Sequence, residues 1–147
     1  MDQAVTKTNA EADVRKLMQS WENAASAGNL EAIMSHYAPE VIAYDAFKSL
    51  QFKGIEAYKN HWKMCIEMCT GTMTFKLHDL HIGAGDDIAY SHSLNQCGGT
   101  DKEGNEHLSW MRVSTAYRKI NGQWRIVHEH FSAPFDESGK ALLDLKP

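Results

Sequence analysis

Three groups of side chains in this sequence have the types and spacing for chemistry. His128 and His130 alternate along one segment, so a strand there sends both imidazoles to one face. A neutral imidazole exchanges protons near pH 7, and His130, toward the strand end where pocket mouths occur, is the better placed of the two. The same spacing suits a metal held on a strand face, with His92 or Asp45 recruited as a further ligand. The competing role is a hydrogen-bonded core histidine. Asp45, directly after Tyr44, closes a short β-prone run where a loop begins. Such a setting holds a carboxylate in partly apolar surroundings and raises its pKa toward neutrality; the competing role is a loop cap. Tyr58 and Trp62 on one helix, with Trp21 on another, are ordinary core residues by type. Lining a cavity, they would favour a flat or cyclic ligand. His61, Cys65 and Cys69 stand at one-turn spacing, but a zinc site is usually closed by a second ligand pair, and packing of small side chains is the simpler reading. His78 and His81, with His36 and His107 taken as exposed, are background.

The elements that must position these groups read in order along the chain. Val14, Leu17, Met18, Trp21, Ala24 and Ala25 recur at helical spacing over Glu11 to Ala27, with Thr8 and Glu11 as a capping box and Gly28 as the stop. Asn29 caps a short second helix to about Tyr37, which Pro39 keeps from extending. Val41 to Asp45 is a short strand, followed by an irregular loop to Gly54 over a pocket mouth. A third helix buries Ile55, Tyr58, Trp62, Cys65, Ile66 and Cys69 and closes at Gly71. Strands then follow over 72–82, 88–97, 107–119 and 123–133. Asn121-Gly122 is the strongest hairpin signal, since a type I′ turn needs two residues tolerant of positive φ. Counting outward from that turn pairs Ile120 with Gln123, Tyr117 with Ile126, Thr115 with His128 and Val113 with His130. Trp124, Ile126, His128 and His130 then share a face with Thr115 and Tyr117. Arg112 and Glu129 meet on the other face unless a bulge intervenes.

The order of elements predicts one α+β domain, with packed helices and a curved, mostly antiparallel sheet enclosing a pocket. At 147 residues the chain fits one domain and buries roughly two thirds of its unfolded surface. Its 43% hydrophobic and 23% charged residues are those of an ordinary globular protein. A net charge of -4, a pI near 6.0 and unclustered Lys and Arg argue against nucleic acid or an anionic membrane surface as partner. No apolar run approaches the ~18 residues of a membrane span, and Met1 to Asn9 lacks the pattern of a leader. Three cysteines, Cys65, Cys69 and Cys97, read as reduced thiols, so the expected compartment is the cytoplasm.

The run Gly122-x-Trp124-x-Ile126-x-His128-x-His130-x-Ser132-x-Pro134, together with Ala43-Tyr44-Asp45 before a Gly54-led helix, resembles the nuclear transport factor 2-like superfamily. The likeness is strongest to its SnoaL-like and ketosteroid-isomerase-related members and spans roughly Ala10 to Asp136. Residues 1–9 are then a flexible N-terminus and 137–147 a C-terminal tail. The resemblance implies a cone with three N-terminal helices, a concave face holding the pocket and an outer sheet face that makes a homodimer. By position Asp45, His128 and His130 would line the cone, with Tyr44, Trp21, Tyr58, Trp62, His92 and Thr115 as candidate walls. Polyketide cyclases of this family use an acid/base carboxylate on an enolisable carbonyl compound, without metal or cofactor. Here the expectation is an isomerase, cyclase or dehydratase in which Asp45 and His130 exchange protons and His128 orients a small hydrophobic substrate. Asp45 is the one carboxylate assignable to the cavity, and no Tyr/Asp oxyanion pair of the ketosteroid isomerase kind is identifiable. The terminal run also resembles the association domain of calcium/calmodulin-dependent kinase II, which implies the alternative of a non-catalytic module that binds small carboxylates and assembles.

Overall fold

The computed structural model describes residues 3–69 and 71–147, with side chains from residue 9 onward. Helix α1 (Gln3–Ser26) buries Val14, Met18, Trp21 and Ala25, the apolar stripe of the sequence pattern. It starts earlier than expected, so Thr8 lies inside the helix and not at its cap, and that side chain lies outside the described residues. Gly28, at φ 63°, ends it: the Gly28 N–H donates to Ala25 O at 3.1 Å and the Asn29 N–H to Ala24 O at 3.1 Å. Asn29 then caps α2 (Leu30–Met34) by accepting from the Ala32 N–H at 3.1 Å.

Strand β1 (Tyr37–Tyr44) begins where the second helix was expected to be still running, and includes Pro39. The loop expected to follow contains an edge strand, β2 (Phe52–Lys53), before α3 (Ile55–Met68). The three helices are therefore not consecutive: two strands separate α2 from α3. Long strands follow as β3 (Met73–Ala84), β4 (Ile88–Thr100), β5 (Glu106–Ile120) and β6 (Gln123–Ser132). They form one sheet in the order β2-β1-β6-β5-β4-β3, antiparallel except where β1 runs parallel to β6. Asn121 and Gly122, at φ 51° and 79°, make the tight β5-β6 turn as expected.

Two irregularities in the ladder decide which side chains face the helices. In β3 the register shifts between His78 and His81, with Asp79 at φ 53°. Phe75 and Leu77 before the shift, and Leu80 and Ile82 after it, all pack on the core. In β6 Tyr117 pairs with Ile126 but Ala116 pairs with His128, leaving Val127 as an extra residue. Beyond it the inward positions change from even to odd numbers. Trp124 and Ile126 are buried, and then Glu129 and Phe131 are. Helix α1 lies across β3, and α3 against β1. The C-terminal tail folds back on the sheet: the Trp110 N–H donates to Leu143 O at 3.2 Å and the Leu142 N–H to Pro134 O at 2.8 Å. Among the described residues no helix is long and apolar enough to cross a membrane.

Candidate active site

Asp45 emerges from the end of β1 into the connection toward β2, with its carboxylate held from two sides. Oδ1 accepts from the Ala46 N–H at 2.7 Å, and Oδ2 meets His61 Nε2 at 2.5 Å. His61 belongs to the buried face of α3, with Tyr58 one turn before it and Trp62 beside it. Its side chain is 2% exposed and that of Asp45 21% exposed, so the imidazole stands behind the carboxylate. Phe52 stacks on the imidazole, ring centroids 4.2 Å apart, and Cys65 Sγ lies 3.8 Å from Nε2. Burial opposes charge on this ring, but the hydrogen bond to Asp45 and the adjacent Cys65 outweigh it and raise the pKa to about 9. At neutral pH His61 is an imidazolium that donates to Asp45.

Two hollows meet at this carboxylate. The inner one, about 200 Å³, is walled by Trp62, Phe75, Met111 and Phe131 with Cys65 and Cys97. The outer one, about 840 Å³, is an open groove under residues 44–51 that reaches His130 and Ala133. Asp45, Phe47 and Phe131 border both. The carboxylate is thus presented to anything passing from groove to cavity, in surroundings with no Lys or Arg on the inner wall.

A second buried carboxylate lies deeper in the fold. Glu129 Oε1 accepts from the Tyr37 hydroxyl at 2.7 Å and from the Tyr58 hydroxyl, while Trp21 Nε1–H donates to the Tyr37 oxygen at 2.9 Å. Burial lifts the Glu129 pKa to about 7 against the lowering effect of the two hydroxyls, and the Asp45 charge adds to the lift. Burial, and then the Glu129 charge, also raise both tyrosines well above their ordinary range.

The expected residues divide between these places. Asp45 and Trp62 border the inner cavity. Trp21 and Tyr58 are fully buried and serve the Glu129 cluster. Thr115 is buried opposite Glu129, not His128. The expected inward turn of the two imidazoles does not occur, because the extra residue Val127 reverses their face. His130 is exposed, pairs with Ser114 and borders the outer groove. His128 is half-buried and donates from Nδ1 to Ile42 O at 2.6 Å. Tyr44 lies against both, ring centroids 4.7 and 5.5 Å away. His92 is exposed on the outer sheet face, stacked on His81 at 5.0 Å. Arg112 donates to Ser132 Oγ at 3.2 Å and leaves Glu129 to the tyrosines. His36, expected at the surface, is buried against Ser20 and Ile33. Among the described residues no three His, Cys, Asp or Glu are placed to hold a metal ion.

Reading the sequence for acid/base groups missed His61 and Glu129. The signal for His61 was its place between Tyr58 and Cys65 on the apolar stripe of α3. The signal for Glu129 was the apolar phase change from Trp124 and Ile126 to Phe131.

Comparisons with known proteins agree with this architecture. The profile of the SnoaL-like domain matches residues 14–136. A nuclear transport factor 2-like protein of unknown function from Pseudomonas putida is 45% identical, with TM-score 0.88, covering 95% of this chain and 98% of that one. A structure described as a candidate calcium/calmodulin dependent protein kinase II association domain, from Xanthomonas campestris, is 21% identical with TM-score 0.72, over 90% and 87% of the chains. One described as a candidate scytalone dehydratase, from Novosphingobium aromaticivorans, is 13% identical with TM-score 0.79, over 90% and 89%. These last two likenesses concern the fold alone. No curated protein matches the sequence.

Proposed function

This chain belongs to the SnoaL-like domain family, and we propose that it is an acid/base enzyme acting on a small hydrophobic carbonyl compound through Asp45. The observation that carries this reading is the position of the carboxylate between groove and cavity, backed by the His61 imidazolium at 2.5 Å. In this reading Asp45 takes the proton from the carbon next to the substrate carbonyl and returns it elsewhere, giving isomerisation, cyclisation or loss of water. His61 is a positioning residue: it fixes the carboxylate rotamer and balances its charge. Phe75, Met111 and Phe131 exclude water from the carbanion-like intermediate. A positioned group of this kind supplies typically 10²- to 10⁴-fold in rate.

The alternative of a carboxylate-binding module is less well supported, since the inner wall offers an anionic ligand the Asp45 carboxylate and no lysine or arginine, and Lys48 lies in the outer groove. Association is compatible with catalysis. The outer sheet face exposes Ile42, Tyr44, Ile88 and Tyr90, and we assign the homodimer contact to it.

The test is hydrogen exchange at the α-carbon of small cyclic ketones in D₂O, followed by NMR. This reads proton abstraction whatever the final product. Exchange by the native protein should fall about 10²- to 10⁴-fold in Asp45→Asn, with unchanged circular dichroism. Equal exchange by the two proteins would dismiss the proposal.

A further inference from the structure

The two hollows that meet at Asp45 differ in chemistry. Apart from Asp45, the inner one is walled by aromatic rings, Met111 and two cysteines, and holds no Lys, Arg or His. The outer groove, about four times larger, presents Lys48, Ser49, Gln51, His130 and Ser132 beside its apolar groups. A ligand that fills both must therefore change character along its length, apolar at one end and polar at the other.

Among the described residues that line the groove, Lys48 is the one lysine or arginine. Its Nζ lies 5.2 Å from the centroid of the Phe47 ring, and Phe47 borders both hollows, so the ammonium stands near the passage between them. No carboxylate of the described residues pairs with it, and that of Asp45 is engaged by His61. The Lys48 backbone, at φ 76°, lies in the left-handed region that a lysine rarely adopts. Phe47 before it is 42% exposed and Leu50 after it 93% exposed, so apolar surface flanks the charge. A cation set among exposed apolar side chains suits a hydrocarbon chain that ends in an anion. One ammonium balances a carboxylate, but not the nearly two charges of a phosphate monoester.

We infer that the site takes a two-part molecule, with a hydrophobic carbonyl head in the inner cavity and a hydrocarbon chain leading to a single carboxylate at Lys48 in the outer groove. This deepens the proposed acid/base function and rests on it only for the carbonyl of the head. Asp45, at the junction, then faces the head and not the anion.

Binding is read by calorimetry on the native full chain. The probes are 4-(3-oxocyclohexyl)butanoic acid, its neutral primary amide, the corresponding phosphonate, and hexanoic acid, which has no ring. The acid should bind about fivefold tighter than the amide, the size expected of one partly exposed charge pair. The phosphonate should gain nothing over the acid. Hexanoic acid should bind about tenfold more weakly, because it leaves the inner cavity empty. Lys48→Asn, which tolerates the left-handed backbone, should bind acid and amide alike, and Lys48→Glu should prefer the amide. Equal affinity of the native protein for acid and amide would overturn the inference. So would a preference for the acid that survives in Lys48→Asn, tighter binding of the phosphonate, equal binding of hexanoic acid, or no binding at all. Absence of α-proton exchange, with the preference for the acid intact, would overturn the acid/base reading but leave the two-part site standing. Exchange without that preference would do the reverse.

Discussion

Asp45 and His61 share one hydrogen bond, so substitutions at the two should be far from additive. Asp45→Asn and the double variant should have similar rates, because His61 has nothing to position once the carboxylate is gone. His61 also sets an alkaline limb. Its pKa is raised to about 9, so its charge is present below that value and lost as pH rises through it. We expect the exchange rate of the native protein to fall across this range, and the limb to be missing from the profile of His61→Gln. A purely structural histidine would lower the rate without changing the shape of the profile. Glu129 has the opposite consequence for an acid. Its protonated form is favoured by the fold, so its contribution to stability is full below the ordinary carboxylate value of 4.5. That contribution is lost as pH rises through about 7. Urea midpoints should therefore decline between pH 5 and 8, by an equivalent of roughly 3 kcal/mol at most, and Glu129→Gln should flatten the decline. A steep decline persisting in Glu129→Gln would place its cause elsewhere.

One residue of β6 governs the whole inward face beyond it. With Val127 extra, Glu129 reaches the tyrosines and Phe131 reaches both hollows. Deleting Val127 would remove the extra residue and set His128 directly after Ile126, so plain alternation still turns Glu129 and Phe131 inward and His128 and His130 outward. The deletion variant should therefore keep a cooperative thermal transition, and Val127→Ala, which keeps the extra residue, should lower Tm by only a few degrees. A deletion variant with no cooperative transition would show that the irregularity itself, and not only the phase it sets, holds the strand in place. The same strand explains how near the sequence reading came. Its hairpin register is right from Ile120/Gln123 to Tyr117/Ile126 and inverts at the next pair.

For the molecule as a whole, the outer face of the sheet is where assembly is expected. Tyr90 is 60% exposed there, and its ring lies over Gly83 across the strand pair. Tyr90→Glu should shift sedimentation toward the monomer while leaving the helix-covered face, and hence ligand binding, intact. An unchanged sedimentation coefficient would put the contact elsewhere. The sequence by itself determined the α+β class, the four long strands, the β5-β6 turn and the place of Asp45 at the end of a short strand. Each of these depends on local periodicity, turn chemistry or chain order. Only the tertiary structure decided that Asp45 is served by His61 and not by His130, and that Glu129 is the buried acid. Local periodicity names the residues able to share a face, but a single extra residue in a ladder inverts the choice. What holds Glu129 inward are hydroxyls 92 and 71 positions away in the chain, on elements whose approach no local pattern encodes.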